Sequence, residues 1–117
     1  MRATLADRLR RVPEAIDEIY RILDWKSRDE FAADWFARAA TERLLEIITE
    51  ASCRIPDDIK SRETEIPWQR IAHVGNILSR AYPDTDPDMV WSFAKNDLAS
   101  LQAFVERVVR EEDSNGP

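Results

Sequence analysis

The stretch from Leu5 to Leu23 reads LADRLRRVPEAIDEIYRIL and places an apolar residue at every third or fourth position. These positions are Leu5, Leu9, Val12, Ile16, Ile19 and Leu23. Residues spaced in this way fall on one face of an α-helix, so the stretch predicts a first helix with a single buried stripe. Pro13 lies inside the stripe and lacks a backbone N–H. It either bends the helix or marks its true first turn.

A second and longer helix follows a short connection. Ser27 and Glu30 have the spacing of a capping box, which predicts a short helical turn before the longer element. From Trp35 to Ala51 the apolar residues again recur at helical spacing, and Pro56 ends the pattern. The polar, proline-bounded segment 56–67 is then a connection with at most one turn of helix.

The C-terminal half predicts two further helices. Pro67 opens a third helix, which Tyr82 and Pro83 stop, and Pro87 opens a fourth that runs to about Val109. The fourth helix carries a second apolar line off its main stripe, formed by Met89, Phe93, Phe104 and Val109. One neighbouring helix does not cover two such lines, so this pattern favours a partner, although a four-helix bundle that covers both lines internally is the alternative.

No alternating strand pattern extends beyond a few residues. We therefore expect an all-α protein, an antiparallel four-helix bundle with short connections that forms a dimer. The length fits one domain, which we place at residues 1–112, with a flexible polar tail at 113–117.

Composition and charge exclude several functional classes. The sequence has 44% hydrophobic and 34% charged residues, with no secretory signal and no apolar run long enough to span a membrane, which predicts a soluble, cytoplasmic protein. A net charge of −6 argues against broad, non-specific attraction to nucleic acid but leaves room for a local basic cleft. The single cysteine, Cys53, is expected to fill the core.

The chemical motifs of common enzymes are missing from the sequence. Asp84, Asp86 and Asp88 alternate as at the start of a calcium loop, but Met89 and Lys95 stand where that loop needs glycine and glutamate. The two glycines cannot form a phosphate-binding loop. A lone histidine, His73, has neither a second histidine nor a cysteine pair to complete a transition-metal site. We therefore expect no cofactor and no metal.

An ordered set of segments is more informative. It comprises LEIITEAS at 45–52, IPWQRIA at 66–72, Asn76 with Leu78 and Tyr82, and then Asp86, Val90-Trp91 and Asn96-Asp97-Leu98. In order and spacing this set resembles the HepT-like family, a branch of the HEPN superfamily of small helical prokaryotic proteins. The resemblance covers most of the chain. It implies an all-helical homodimer that cuts RNA without a metal and acts as a toxin beside a nucleotidyltransferase antitoxin, which can modify the tyrosine of the motif.

The signature of that family is an arginine, four to six residues and a histidine, usually Arg-Asn followed by His-x-Tyr. Here Gly75 takes the place of the arginine and Arg80 that of the histidine, whereas Asn76 and Tyr82 stand where the family has them. A guanidinium stays protonated at ordinary pH, so Arg80 can bind phosphate but is a poor proton shuttle. His73 lies seven residues earlier, about 10 Å along a helix, and could stand in for the histidine if a second copy brings the two groups together.

Two functions follow from the resemblance and from this altered motif. The first is a HepT-like ribonuclease toxin of a toxin–antitoxin pair with a degenerate motif, whose candidate catalytic residues are His73, Asn76, Arg80 and Tyr82, with Tyr82 also the modification site. The alternative is a catalytically inactive dimeric helical module that binds a protein, RNA or a nucleotide. Gly75 is interpreted either as a site of tighter helix packing or as a random loss.

Overall fold

The computed structural model describes residues 3–80 and 85–115, and these residues form helices and connections without a strand. The helices in chain order are α1 (Leu5–Leu9), α2 (Arg11–Leu23), α3 (Arg28–Ala33), α4 (Trp35–Cys53), α5 (Asp57–Lys60), α6 (Trp68–Ser79), α7 (Pro87–Asn96) and α8 (Ala99–Asn115). The central helix α4 packs against both α2 and α6. The prediction of an all-α helical bundle is confirmed.

The first predicted helix is interrupted at Arg10. Helix α1 ends at Leu9, Arg10 keeps right-handed helical dihedral angles, and α2 begins at Arg11. Pro13 therefore lies in the first turn of α2, where its missing N–H leaves no hydrogen bond unmade. Of the two interpretations of Pro13, the structure supports a true first turn. The apolar stripe continues across the interruption, and Leu9, Val12 and Ile16 are fully buried.

The connection between α2 and α4 is fixed by side-chain caps. Ser27 accepts a hydrogen bond from the backbone N–H of Glu30 at 3.1 Å, and the Glu30 carboxylate accepts one from the Ser27 N–H at 2.8 Å, which confirms the predicted capping box. Asp34 then leaves the helical conformation, and its carboxylate accepts from the N–H of Ala37 at 3.0 Å. Lys26 lies 2.9 Å from the same carboxylate. These contacts set the position at which α4 starts.

The predicted fourth helix is wrong in one respect, because it is two helices. Helix α7 ends at Asn96, Asp97 departs from helical dihedral angles, and α8 begins at Ala99. The interruption changes the phase of the apolar pattern, so Phe93 and Phe104 are 2% and 4% exposed. Met89 and Val109 pack partly buried against the same core. The chain itself covers this second line, so these four residues do not support a partner.

Helix α8 also extends further than predicted. It continues through Asn115, so residues 113–115, which were assigned to a flexible tail, are helical. Arg10 donates hydrogen bonds to Glu112 at 3.1 Å and to Asp113 at 2.9 Å. The hydrogen bond from Arg10 lowers the pKa of the Asp113 carboxyl. A polar segment without an apolar stripe predicts a frayed end, whereas here a distant arginine holds it. That residues 1–112 form a single domain stays a prediction.

In the described ranges 3–80 and 85–115, no helix is both long and apolar enough to cross a membrane.

Candidate functional site

Three of the four candidate residues share one exposed stripe of α6. His73, Asn76 and Arg80 follow one another at intervals of three and four positions, which brings them to the same side of a helix. All three are exposed, and Arg80 is the residue that caps the C-terminal end of α6. With a rise of about 1.5 Å per residue, His73 and Arg80 are about 10 Å apart along the helix. We call these three residues the α6 row.

The side chains of the α6 row make no hydrogen bond and no ion pair with any part of the chain that the structure describes. This distinguishes Arg80 from Arg70 on the same helix, whose guanidinium lies 2.9 Å from the Asp97 carboxylate. A guanidinium, an imidazole and an amide can each donate a hydrogen bond to a phosphate oxygen. The row therefore has the chemistry of an anion-binding surface.

Tyr82, the fourth candidate and the predicted modification site, lies outside the described residues. Asp84 of the acidic run falls in the same gap. Among the residues on either side of that gap, no group of three or more potential ligand side chains is arranged to hold a metal ion.

Gly75, which takes the place of the family's arginine, faces the central helix. A Cβ atom built on Gly75 would lie 2.9 Å from the Cβ of Thr49 and 3.0 Å from its Oγ1. Thr49 is 2% exposed, and its hydroxyl donates to the backbone carbonyl of Glu46 at 3.3 Å. Of the two interpretations of Gly75, this contact supports tighter helix packing: α4 and α6 approach too closely here for any larger side chain without a shift.

A cleft of about 310 Å³ opens beside this contact, between α4 and α6. Its lining comprises Thr49, Glu50, Cys53, Arg54, Ala72, Gly75, Asn76 and Ser79. Cys53 is exposed at this cleft, so the expectation that it fills the core is wrong. Cys53 is the last residue of α4, beyond the end of the apolar pattern at Ala51, so the periodicity does not show whether the thiol faces the core.

The central helix carries charged residues that the sequence analysis did not single out. Thr49 contacts Gly75, whereas Arg38 donates to the backbone carbonyl of Thr85 at 3.4 Å, so α4 and the chain from α6 onward run in opposite directions. Glu42 lies between these two contacts. Burial raises the pKa of its carboxyl, Arg38 opposes that shift, and Glu46 adds to it. The four-residue spacing of 38, 42 and 46 could have revealed this charged line.

The fold and the site together define a class: a small helical bundle with an exposed row of polar side chains on α6. The chain matches the ribonuclease HepT-like family over residues 12–108. It therefore belongs to the ribonuclease HepT-like family, which confirms the resemblance.

Its relatives carry related names. The chain is 34% identical over 108 residues to a "Probable ribonuclease HepT" of Thermococcus cleftensis, an alignment that covers 92% of this chain and 98% of that protein. It is 30% identical over 115 residues to a "Gamma-glutamylcyclotransferase and putative RNase" of Methanocaldococcus jannaschii, which covers 98% of this chain but only 52% of the relative. The chain thus spans about half the length of that relative. No solved structure gives a significant match.

Proposed function

We propose that this chain is the toxin component of a HepT-like toxin–antitoxin pair, and that it cuts RNA slowly and without a metal through a degenerate motif. The observation that carries the proposal is the α6 row, three exposed side chains without a partner among the described residues, in the segment that resembles the family's signature. In this proposal RNA is the substrate and the row is where its phosphates bind.

The chemistry divides between two groups of the row. Cleavage of RNA at a 2′-hydroxyl needs a group that moves a proton and a cation that stabilises the charge developing on the phosphate oxygens. Arg80 supplies the cation but not the proton transfer, because its guanidinium stays protonated. His73 has the only imidazole in the chain and supplies the proton transfer. Asn76, between them, donates a hydrogen bond to the same phosphate group.

The distance between these groups requires a second copy. Proton transfer needs heavy atoms within about 3 Å, and His73 and Arg80 of one chain lie about 10 Å apart along α6. A homodimer that sets His73 of one chain opposite Arg80 of the other removes this separation.

The proposal includes an antitoxin partner and a regulatory site. The partner is a nucleotidyltransferase that modifies Tyr82, the retained tyrosine at the end of the motif, and the pair acts in the cytoplasm. Charge added next to the α6 row repels the RNA backbone, so modification of Tyr82 weakens substrate binding.

A second candidate function is binding of RNA without cleavage. The close contact of Gly75 with Thr49 favours it, because this packing leaves no room for the family's arginine at position 75. Losing a general acid or base typically slows a reaction by about a hundred to ten thousand fold. In this second candidate, the chain lacks both the family's arginine and its histidine, so the α6 row still binds phosphate but does not cleave RNA.

Purified protein incubated with structured RNA in chelator tests the first candidate against the second. Cleavage that falls in the His73→Ala and Arg80→Ala variants, but not in Arg62→Ala, supports the ribonuclease. Arg62 is a matched control because it is an exposed arginine on the connection after α5. Intact RNA that binds wild-type protein, but binds Arg80→Ala more weakly, supports binding alone.

A genetic test addresses the toxin–antitoxin pairing. We expect expression of the chain alone to slow growth and co-expression of a neighbouring nucleotidyltransferase gene to restore it. Unchanged growth in both conditions contradicts the pairing.

A further inference from the structure

The cleft between α4 and α6 combines two opposite charges with small side chains. Its volume of about 310 Å³ lies at the lower end of the range for ligand sites, about 300–1,000 Å³. Small residues of α6, among them Ala72 and Gly75, form one wall, and α4 contributes Glu50 and Arg54 to the other. The cleft therefore has room for one small planar group and is too small for a protein surface.

The two charged side chains of the cleft are available to a ligand. Glu50 and Arg54 are one helical turn apart, a spacing at which opposite charges often pair. Asp58 and Arg62 have the same spacing and form an ion pair at 3.8 Å. Within residues 3–80 and 85–115, the side chains of Glu50 and Arg54 form no ion pair and no hydrogen bond, and both residues are exposed. The cleft thus presents one acceptor group and one donor group that the fold does not use.

The cleft adjoins the α6 row through a shared residue. At about 100° per residue, Ala72 and Gly75 lie on one side of α6, and His73 and Arg80 lie on the neighbouring side. Asn76 lies between the two sides, and it both lines the cleft and belongs to the row. Arg80 is four positions further along, about 6 Å by the helix rise. A group in the cleft and a group on Arg80 can therefore belong to one nucleotide.

Charge determines which part of a nucleotide suits the cleft. The Glu50 carboxylate repels a phosphate, whereas Arg80 in the α6 row attracts it. An ionised carboxylate accepts hydrogen bonds and donates none, so it selects a neutral group that carries N–H donors. A nucleobase is such a group, and its flat face fits a wall that has no long side chain at Ala72 or Gly75. The base is therefore the part of RNA that matches the cleft.

The donors and acceptors of the cleft distinguish guanine from the other bases. Guanine carries two adjacent donors, N1–H and N2–H, on its Watson–Crick edge, and the two oxygens of the Glu50 carboxylate can accept both. Its O6 and N7 atoms are acceptors that a guanidinium commonly binds, and Arg54 lies one turn from Glu50. Adenine and cytosine present one donor beside an acceptor nitrogen, and uracil presents one donor between two carbonyls. A carboxylate therefore binds these three bases less well.

We infer that the cleft between α4 and α6 is a binding site for a guanine base of RNA, with Glu50 and Arg54 as the residues that determine specificity. The inference rests on the proposed function, in which RNA phosphates bind the α6 row, and it adds which nucleotide binds there. It applies to cleavage and to binding alone, because recognition of a base requires no proton transfer. Glu50 and Arg54 contact the base and take no part in proton transfer.

Fluorescence anisotropy of the full chain in chelator tests the inference. The probes are labelled uridine oligonucleotides with a single central guanosine, adenosine or inosine. A good bidentate contact discriminates between bases by about tenfold or more, so wild-type protein should bind the guanosine probe about tenfold more tightly than the adenosine probe. Inosine lacks the N2 amino group, so wild-type protein should bind the inosine probe more weakly than the guanosine probe.

Variants assign the contacts to particular side chains. Glu50→Gln replaces one acceptor oxygen by a donor amide, so it should abolish the preference for guanosine over adenosine and inosine. A probe with 7-deazaguanosine lacks N7, so it should bind wild-type protein more weakly than the guanosine probe but bind Arg54→Ala equally well. Glu111→Gln makes the same change at an exposed glutamate of α8 and should keep the wild-type preference. Circular dichroism melting checks that each variant is folded.

The outcomes separate this inference from the proposed function. Wild-type protein that binds all probes equally overturns the guanine site and leaves the proposed function intact. A folded Glu50→Gln variant that keeps the full preference for guanosine also overturns it. Failure to bind any probe overturns it together with phosphate binding at the α6 row. Guanosine monophosphate that competes as well as the guanosine probe overturns RNA as the source of the base, because a free nucleotide then suffices. The cleavage assay with His73→Ala decides the proposed catalysis separately.

Discussion

The replacement of Gly75 by alanine tests the packing between α4 and α6. In an open helix this substitution stabilises the protein by about 1 kcal/mol, since alanine restricts the unfolded chain and suits the helix. At Gly75 the new Cβ meets the Cβ of Thr49 at 2.9 Å, and that atom is attached directly to the backbone. The two helices must therefore separate by several tenths of an ångström, and overpacking of this kind costs about 1–3 kcal/mol. We expect Gly75→Ala to destabilise the protein by about 1 kcal/mol.

Urea denaturation followed by circular dichroism measures this change. Ala72→Gly, at an exposed position of the same helix, calibrates the helix preference and should lose about 1 kcal/mol. Thr49→Gly removes the atom that Gly75→Ala meets, so the double variant should be more stable than the sum of the two single changes predicts. Thr49→Ala removes the Oγ1 contact at 3.0 Å but keeps that Cβ, so it should relieve Gly75→Ala less than Thr49→Gly does. A Gly75→Ala variant more stable than wild type by about 1 kcal/mol would refute the reasoning.

Four further predictions concern caps, charges and RNA. Ser27→Ala removes the cap of α3 and should lower the free energy of unfolding by about 1 kcal/mol in urea denaturation. The hydrogen bond from the Ala37 N–H lowers the pKa of Asp34 below its ordinary value of 3.8. The stabilising effect of the ionised Asp34 is therefore complete above pH 3.8 and is lost as the pH falls through the lowered pKa. Asp34→Asn should weaken the pH dependence of the melting temperature in that acidic range. Burial raises the pKa of Glu42, because it disfavours the ionised carboxylate in the folded state. Glu42→Gln should therefore raise the melting temperature near neutral pH. It should leave the melting temperature unchanged at an acidic pH where this carboxyl is protonated in both the folded and the unfolded state. The association constant for single-stranded RNA, measured by fluorescence anisotropy, should fall less steeply with salt in Arg80→Ala: the slope of its logarithm against log salt should be smaller in magnitude by about 0.7. An unchanged slope would show that Arg80 does not contact a phosphate.

The helices were largely predictable because local rules decide them. The apolar stripe of α2 and the capping box of Ser27 each depend on residues within one or two turns, and both are confirmed. Pro13 left two outcomes open, since a proline is compatible with a first turn or a bend. Only the surrounding packing distinguishes them.

The errors in the C-terminal half come from contacts that are distant in sequence. The break at Asp97 carries no proline or glycine, so the periodicity predicts one continuous helix and places the second apolar line on its surface, whereas its residues pack against the core. The end of α8 depends on Arg10, about a hundred positions away. Neither the break at Asp97 nor the contact with Arg10 is indicated by the neighbouring residues in the sequence.

The candidate site was predictable in its position and not in its surroundings. Spacing alone places His73, Asn76 and Arg80 on one stripe, and the structure shows them exposed. The neighbour that Gly75 meets, Thr49, could not be predicted, because the contact depends on how α6 docks on α4. The raised pKa of Glu42 likewise depends on burial by other helices.

The decisive measurement of metal-free ribonuclease activity is the rate of RNA cleavage in the presence of chelator. The rate is compared among wild-type protein, His73→Ala, Arg80→Ala and the control Arg62→Ala. We expect slow cleavage by wild-type protein, a loss of about a hundredfold or more in each α6 variant, and no change in the control. Cleavage that survives both α6 substitutions, or that stops when metal is removed, would contradict this expectation.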